Sequence, residues 1–382
     1  RPNEPTAAAR DALRRAVRER LVSAALADRD AALAQRLVTG SPAALLRDQR
    51  GQELVALAAT DVSAPRVIGR GIGVVLSLET SESRRRSAAL VAGVSRALRL
   101  ATGGDGGVRL ATRDDGGAPE TMGAALAALA GEGASVLVAG VDPEGAERAL
   151  VFASAAEVPV LLLSPPPVPV PADGFGFVLG IDPEATRAAL AAALDDLAGA
   201  ARAEPVIVGP GGLPCDADVV AGRPRFPVAD WRRARATLLL TGDGPCVRDV
   251  LAASAAERFL GPIGIDLEGA EGLAGVSRRA PTLVTRVGRF PATPVTDPTL
   301  SLFQVLGHDA ALLAAAAVGG LDGVRAEDAE DVSATHRRVR DVLAAAEVEL
   351  WSSERTGFGG GRLLARAITV ESVGRVEGAP PR

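Results

Sequence analysis

The chain has 382 residues, 47% of them hydrophobic, which is too long for one simple core and suits two or three folding units. No run of 18 residues lacks charged or turn-forming side chains, so the sequence reads as a soluble chain with no membrane span. The net charge of −5, from 42 basic and 47 acidic residues, gives no overall pull toward nucleic acid. Every basic residue is Arg: there is no Lys, and no Tyr either. This excludes a P-loop lysine, a Schiff base and a Ser–Lys dyad.

The first residues, RPNEPT, suit a flexible leader. The chain opens on Arg1 rather than Met, which fits a removed signal peptide, with a lipid anchor ahead of these residues a further option. Residues 7–60 are rich in Ala, Leu and Arg. Leu13, Val17, Leu21 and Ala25 recur at spacing four, and Ser41-Pro42 restarts a helix. Residues 1–65 are therefore expected to form a helical hairpin, either a repeat remnant or an extension packed on the main domain.

After Pro65 short apolar runs alternate with Ala-rich helical stretches. Strands are expected at Ile72–Leu76, Val108–Thr112, Ser135–Ala139, Val158–Leu163 and Phe175–Gly180. Helices are expected at Ser83–Leu100, Pro119–Gly131, Glu144–Ala156 and Pro183–Ala201. The pattern then begins again, with strands at Pro205–Val208, Thr237–Thr241, Ile263–Ile265 and Leu283–Val287 and a helix at Val247–Phe259. Apolar strands between amphipathic helices mean parallel sheets covered on both faces. Two such units predict an α/β protein of two doubly wound, Rossmann-like lobes with a cleft between them. RFPATPVTDP (Arg289–Pro298) reads as a crossover loop. A long apolar helix (LFQVLGHDAALLAAAAVGGL), a polar helix (Glu330–Ala346) and one or two closing strands come next.

The order of these pieces carries a resemblance. The strand and hydroxyl-rich loop IGVVLSLET, the helix SAALVAGVSRALRL and the strand VRLATRDD come first. GASVLVAGVDPEGAERAL, VPVLLLSPP, GHDAALLAAAAV and TGFGGGRLLA come after them. Together they resemble the type 1 periplasmic-binding-protein fold in its branched-chain amino-acid receptor (Leu/Ile/Val-binding-like) branch, over about residues 70–380. The resemblance implies a first lobe of 66–180 plus 292–347 and a second of 181–291 plus 348–382. It implies a ligand cleft lined by Ser77, Glu79, Thr80, Val141, Asp142, Ser164, Gly209, Asp243 and Asp266. It also implies a hinge near Asp182, His308 and Asp309, with His308 in the family's Tyr place.

The departures are chemical. The family's Gly-Pro-x-x-Ser loop is here Gly140-Val141-Asp142-Pro143-Glu144, and a carboxylate there repels an anionic ligand group. The next loop, Ser164 to Pro171, is Pro-rich and nearly devoid of donors. In the second lobe about 25 residues stand where the family has a helix, a strand and another helix. Asp216, Asp243 and Asp266 come after strands and are read either as ligand-holding acids or as helix caps, the commoner role. Arg84-Arg85-Arg86 is either a solvated helix start or an anion or partner contact beside the cleft.

Cys215 and Cys246 each come after a second-lobe strand. In 2-1-3 strand order their loops are neighbours, which allows a disulfide; the alternative is two buried thiols. No nucleophile elbow and no HExxH, CxxC or clustered-Asp pattern is present, so neither an enzyme, a metal nor a cofactor is expected. GGDGG and GFGGG lack the strand-loop-helix order of phosphate loops and read as turns. The expected function is an extracytoplasmic, periplasmic solute-binding receptor for a transporter or sensor, binding a small molecule and no nucleic acid. The alternative is a non-catalytic envelope regulator with a vestigial cleft and a protein partner, resembling penicillin-binding-protein activator lipoproteins. A transcription factor ranks last, because residues 1–65 show no helix-turn-helix pattern.

Overall fold

The computed structural model describes residues 7–27, 33–34, 37–38, 49–58, 64–100, 107–117, 119–198, 205–209, 211–215, 226–273, 276, 279–287, 301–353, 355–364 and 366–373. The helix restart at Ser41-Pro42, Asp216 and the Arg289–Pro298 crossover lie outside them. Helices α1 (Ala7–Ala27) and α2 (Gln49–Ala58) share a small core of Ala25 and Leu54, with Val22 and Leu57 packed beside it. Arg325 ties this pair to the next unit by donating to the Ala27 carbonyl at 3.2 Å.

The first lobe is built from β1 (Val67–Ile68), β2 (Arg70–Leu76), α3 (Ser81–Ala97), β3 (Val108–Asp114), α4 (Pro119–Gly131), β4 (Val136–Ala139), α5 (Pro143–Ala156), β5 (Val160–Leu162) and β6 (Gly176–Val178). β2 is buried along five consecutive residues, Gly71–Val75, as a central strand covered on both faces must be. The sheet is parallel in the order β3-β2-β4-β5-β6.

The second lobe contains α6 (Pro183–Ala198), β7 (Val206–Val208), the six-residue α7 (Val228–Arg233), β8 (Leu238–Leu240), α8 (Gly244–Ala256), β9 (Ile263–Ile265), a 3-10 turn at Gly269–Leu273 and β10 (Thr282–Val287). The chain then forms α9 (Leu302–Val318), β11 (Arg325–Ala326), α10 (Ala329–Ala345), the hairpin β12 (Glu347–Glu349) and β13 (Arg355–Gly357), and β14 (Ile368–Val373).

α9 returns to the first lobe and packs on α3. Gly93 and Gly307 let the two helices touch: a Cβ on Gly93 would run into the Gln304 carbonyl, and one on Gly307 into the Leu90 carbonyl. Leu90, Val94, Leu306, Ala310 and Leu313 form one apolar layer of this lobe with Ile72 and Val136. Leu126, Leu129 and Leu150 form the other layer with Leu137 and Leu162.

The second sheet runs β14-β10-β9-β8-β7, so β7 and β8 are neighbours, as the two cysteine loops required, and β7 has no second strand neighbour among the described residues. Leu213 makes a single bridge to Val208. One expectation is corrected, the return to the second lobe at 348. Leu350, Phe358 and Leu364 belong to the first-lobe core, and Val178 exchanges backbone hydrogen bonds with Arg362 and Leu364. The chain rejoins the second sheet only at β14, antiparallel to β10 over six residue pairs.

Candidate functional site

A cavity of about 780 Å³ lies between the lobes. Its first-lobe wall is the start of α3, and its second-lobe wall is the set of loops after β7, β8 and β9. The carboxyl ends of parallel strands are where ligands of doubly wound sheets bind.

Thr80 starts α3 with reciprocal caps: its hydroxyl accepts from the Ser83 N–H, and the Ser83 hydroxyl accepts from the Thr80 N–H, both at 3.0 Å. Three arginines sit in the next turn. Positive charge near a helix N-terminus opposes the helix dipole, so these side chains call for acids from outside their own helix. Asp243 supplies one. Its Oδ1 caps α8 by accepting from the Cys246 N–H at 2.9 Å, and its Oδ2 accepts from Arg85 across the cleft at 2.6 Å. Glu268 supplies another, accepting from Arg86 through both oxygens at 2.7 and 2.9 Å. Glu82 also contacts Arg86, at 2.6 Å. Burial alone would lower the Arg86 pKa, but Glu268, Glu82 and Asp142 outweigh it and hold Arg86 above its usual value. Burial raises the Glu268 carboxyl against the pull of Arg86; the two-oxygen fork nonetheless fits an ionised carboxylate.

The second-lobe wall is made of close backbone approaches. Gly209 has φ +114°, and a Cβ there would meet the Gly242 nitrogen at 2.5 Å. Cys215 and Cys246 form a disulfide with a Cα–Cα distance of 5.5 Å, and it lies directly against Gly242. The covalent bond therefore fastens the loop after β7 to the N-terminus of α8.

Of the expected cleft residues, Thr80, Gly209 and Asp243 line this cavity. The others are placed elsewhere, for local reasons. Ser77 is buried and its hydroxyl donates to Asp115, while its N–H donates to Ser87 at 2.9 Å. Glu79 is exposed and lies against Gly117. Val141 is in the first-lobe core. Asp142 caps α5 through the Gly145 N–H at 2.7 Å. Ser164 is half-buried after β5. Asp266 accepts from the Gly269 N–H at 2.9 Å, and burial, with Glu268 adding to it, pushes its carboxyl up to about 7.

Glu82, Thr241, Asp249 and Glu268 line the cavity and are not singled out by the sequence. Glu268 had one usable signal, an acid two residues beyond Asp266 in a loop just after a strand.

The residues expected at the hinge differ among themselves. Asp182 starts α6 by accepting from the Glu184 N–H at 2.9 Å. Asp309 is fully buried. It accepts from the Trp351 and Ser352 N–H groups at 2.7 and 3.2 Å and from the Ser352 hydroxyl at 2.5 Å, with Arg366 at 3.7 Å. Arg366, lowered to about 10 by burial against the pull of Asp309, also donates to Ser352 at 2.8 Å. His308 stacks on Trp351 at 3.9 Å, and Arg96 covers the same ring at 4.5 Å. Among the described residues no group of three or more His, Cys, Asp or Glu is placed to hold a metal ion, and no helix is long and apolar enough to cross a membrane.

No protein-family model matches the chain, and no curated protein is significantly similar to it in sequence. Solved structures do match. The substrate-binding protein LivJ of a branched-chain amino-acid transporter from Streptococcus pneumoniae, in complex with isoleucine, is 13% identical with a TM-score of 0.54, covering 80% of this chain and 99% of its own. The leucine-binding protein LivK of Thermotoga maritima is 14% identical with a TM-score of 0.52, covering 80% and 98%. A transporter solute-binding protein of Rhodopseudomonas palustris, in complex with 3,4-dihydroxybenzoic acid, is 11% identical with a TM-score of 0.56, covering 81% and 94%. The chain thus has the type 1 periplasmic-binding-protein fold, two lobes in the manner of Leu/Ile/Val-binding proteins and extracellular ligand-binding receptors.

Proposed function

We propose that this protein is an extracytoplasmic solute-binding receptor, not an enzyme, whose lobes close on a small polar molecule and present the closed form to a transporter or sensor. The observation that carries this reading is the cavity of about 780 Å³ at the strand ends between the lobes. Its volume falls in the range of small-molecule sites. Among the described residues its walls are hydroxyls (Thr80, Ser81, Thr241), glycine backbone, carboxylates and two guanidiniums, with Pro214, Pro245 and the Cys215–Cys246 disulfide as its apolar part and no aromatic or branched aliphatic side chain. The hydroxyls, carboxylates and guanidiniums of this lining suit a polar solute.

Thermal unfolding against a panel of polar amino acids, polyamines, sugars, leucine and benzoate tests this. A polar solute at 100 times its dissociation constant adds about 2.7 kcal/mol, an upward shift in Tm that leucine and benzoate do not produce. No shift from any member would contradict it.

One observation favours a second reading. The charged groups best placed to hold a ligand are already paired with one another, Arg85 with Asp243 and Arg86 with Glu268. In that reading the cleft is vestigial and the protein is an envelope regulator. Capture of a purified penicillin-binding enzyme by the immobilised protein, with a silent solute panel, would support it over the first.

A further inference from the structure

We infer that Arg85–Asp243 and Arg86–Glu268 form a latch that holds the two lobes closed in the absence of any solute. The partners of each pair lie far apart in the chain, separated by 158 and 182 residues, and each pair joins α3 of the first lobe to a second-lobe loop. In a two-lobed receptor the ligand ordinarily supplies the contacts that favour closure, since only differential affinity for the closed state can shift the balance. Here the protein supplies charge-assisted contacts of its own at that place.

The geometry is preorganised on the acid side. Asp243 is held by its cap on α8 and needs only one oxygen for that task. Glu268 sits inside the 2.9 Å turn in which Asp266 accepts from the Gly269 N–H, so its position is fixed by backbone on both sides. The arginines have an independent reason to be drawn across. They sit in the second turn of a helix whose dipole repels them, with Glu82 the acid of their own first turn. Breaking the contact therefore leaves Arg85 and Arg86 beside a positive helix end. The side chains are partly buried, at 20% and 22% exposure for Arg86 and Glu268, so the pair is screened less than a surface pair. The consequence is that the lobes rest closed before any solute arrives. The latch rests on the two-lobe geometry and not on solute binding, so a silent solute panel leaves it standing.

The test is an inter-lobe distance measured without solute. Val151 of the first lobe and Leu260 of the second are exposed and take Val151→Cys and Leu260→Cys spin labels, the native cysteines being joined to each other. Pulsed dipolar spectroscopy then compares about 0.01 M and about 1 M salt, where the Debye length falls from about 30 to about 3 Å. A single closed population is expected at low salt, with an open one growing at high salt. Arg85→Gln with Arg86→Gln should shift the closed-to-open ratio at low salt about tenfold. Arg86→Glu should open the lobes, and adding Glu268→Arg should close them again, which a merely misfolded variant would not do. An unchanged distance distribution across both salts and all variants would overturn the latch, as would failure of Glu268→Arg to restore closure in an Arg86→Glu protein that melts cooperatively.

Discussion

The two lobes carry the same parallel-sheet plan at different levels of completeness. In the first, β2 is flanked on both sides and the order β3-β2-β4-β5-β6 is full. In the second, β7 ends the sheet among the described residues, and a six-residue helix is the described regular structure between β7 and β8. An open edge strand loses ladder hydrogen bonds and covering side chains. Here a disulfide binds the loop after β7 to α8, and that loop is a wall of the cavity. The first lobe holds its cleft wall by packing, through the close contact of α3 with α9; the second holds its wall by a covalent bond.

The largest effect is expected at the buried Asp309–Arg366 pair. Asp309→Ala leaves the Arg366 guanidinium, 3% exposed, without its carboxylate, and removing one partner of a buried pair costs about 3–5 kcal/mol. Urea unfolding would measure it. Asp309→Leu together with Arg366→Leu should recover much of the loss, because the stranded charge is then gone as well.

Next comes the disulfide. Its cysteines are 31 residues apart, and replacing both by Ala should cost about 3 kcal/mol. Hydrogen exchange sharpens the comparison between lobes: β7 and residues 211–215 should lose protection while β2, β4 and β5 keep theirs. Equal loss in both lobes would mean that packing, not the covalent bond, holds the second wall.

The third effect is pH-dependent and belongs to the first lobe. His336 lies on the buried face of α10 with Val332, Val339 and Leu343, and neither ring nitrogen has a hydrogen-bond partner among the described residues. Burial, opposed in part by Glu157, lowers its pKa from 6.5 to about 4. The unfolded chain therefore binds a proton first as the pH falls. His336 leaves stability unchanged above about pH 6.5 and lowers it between 6.5 and 4, by on the order of 3 kcal/mol. Asp266 acts in the opposite sense. Its carboxyl, raised to about 7, contributes stability that is complete below about 3.8 and lost as the pH rises through 7. The informative quantity is thus the difference between the wild type and His336→Leu at pH 7 and pH 4.5, and that difference should grow in favour of the variant at the lower pH.

Most strands were legible because a strand covered on both faces must be an uninterrupted apolar run, as VLVA at Val136–Ala139 and LLL at Leu238–Leu240 are. That β7 has one described neighbour instead of two was not legible, since no local pattern records it. The site was legible only in part. Asp243 comes after a strand, caps α8 as the commoner reading had it, and spends its other oxygen on Arg85 across the cleft. Ser77 carries the right chemistry for a ligand, but Asp115 takes its hydroxyl, and that contact depends on the register of β2 beside β3. The triplet Arg84-Arg85-Arg86 announced a need for anions. Glu268 answers it for Arg86, and only the placement of the lobes reveals that.

Calorimetric titration of polar solutes into the wild type and into Ser81→Trp tests the central claim most directly. Ser81 is exposed at the start of α3 and lines the cavity, so an indole there fills the space between the lobes without entering either core. Binding by the wild type that is lost in a variant with unchanged Tm is the result expected of a solute-binding cleft. Equal binding by both proteins, or by neither, would contradict it.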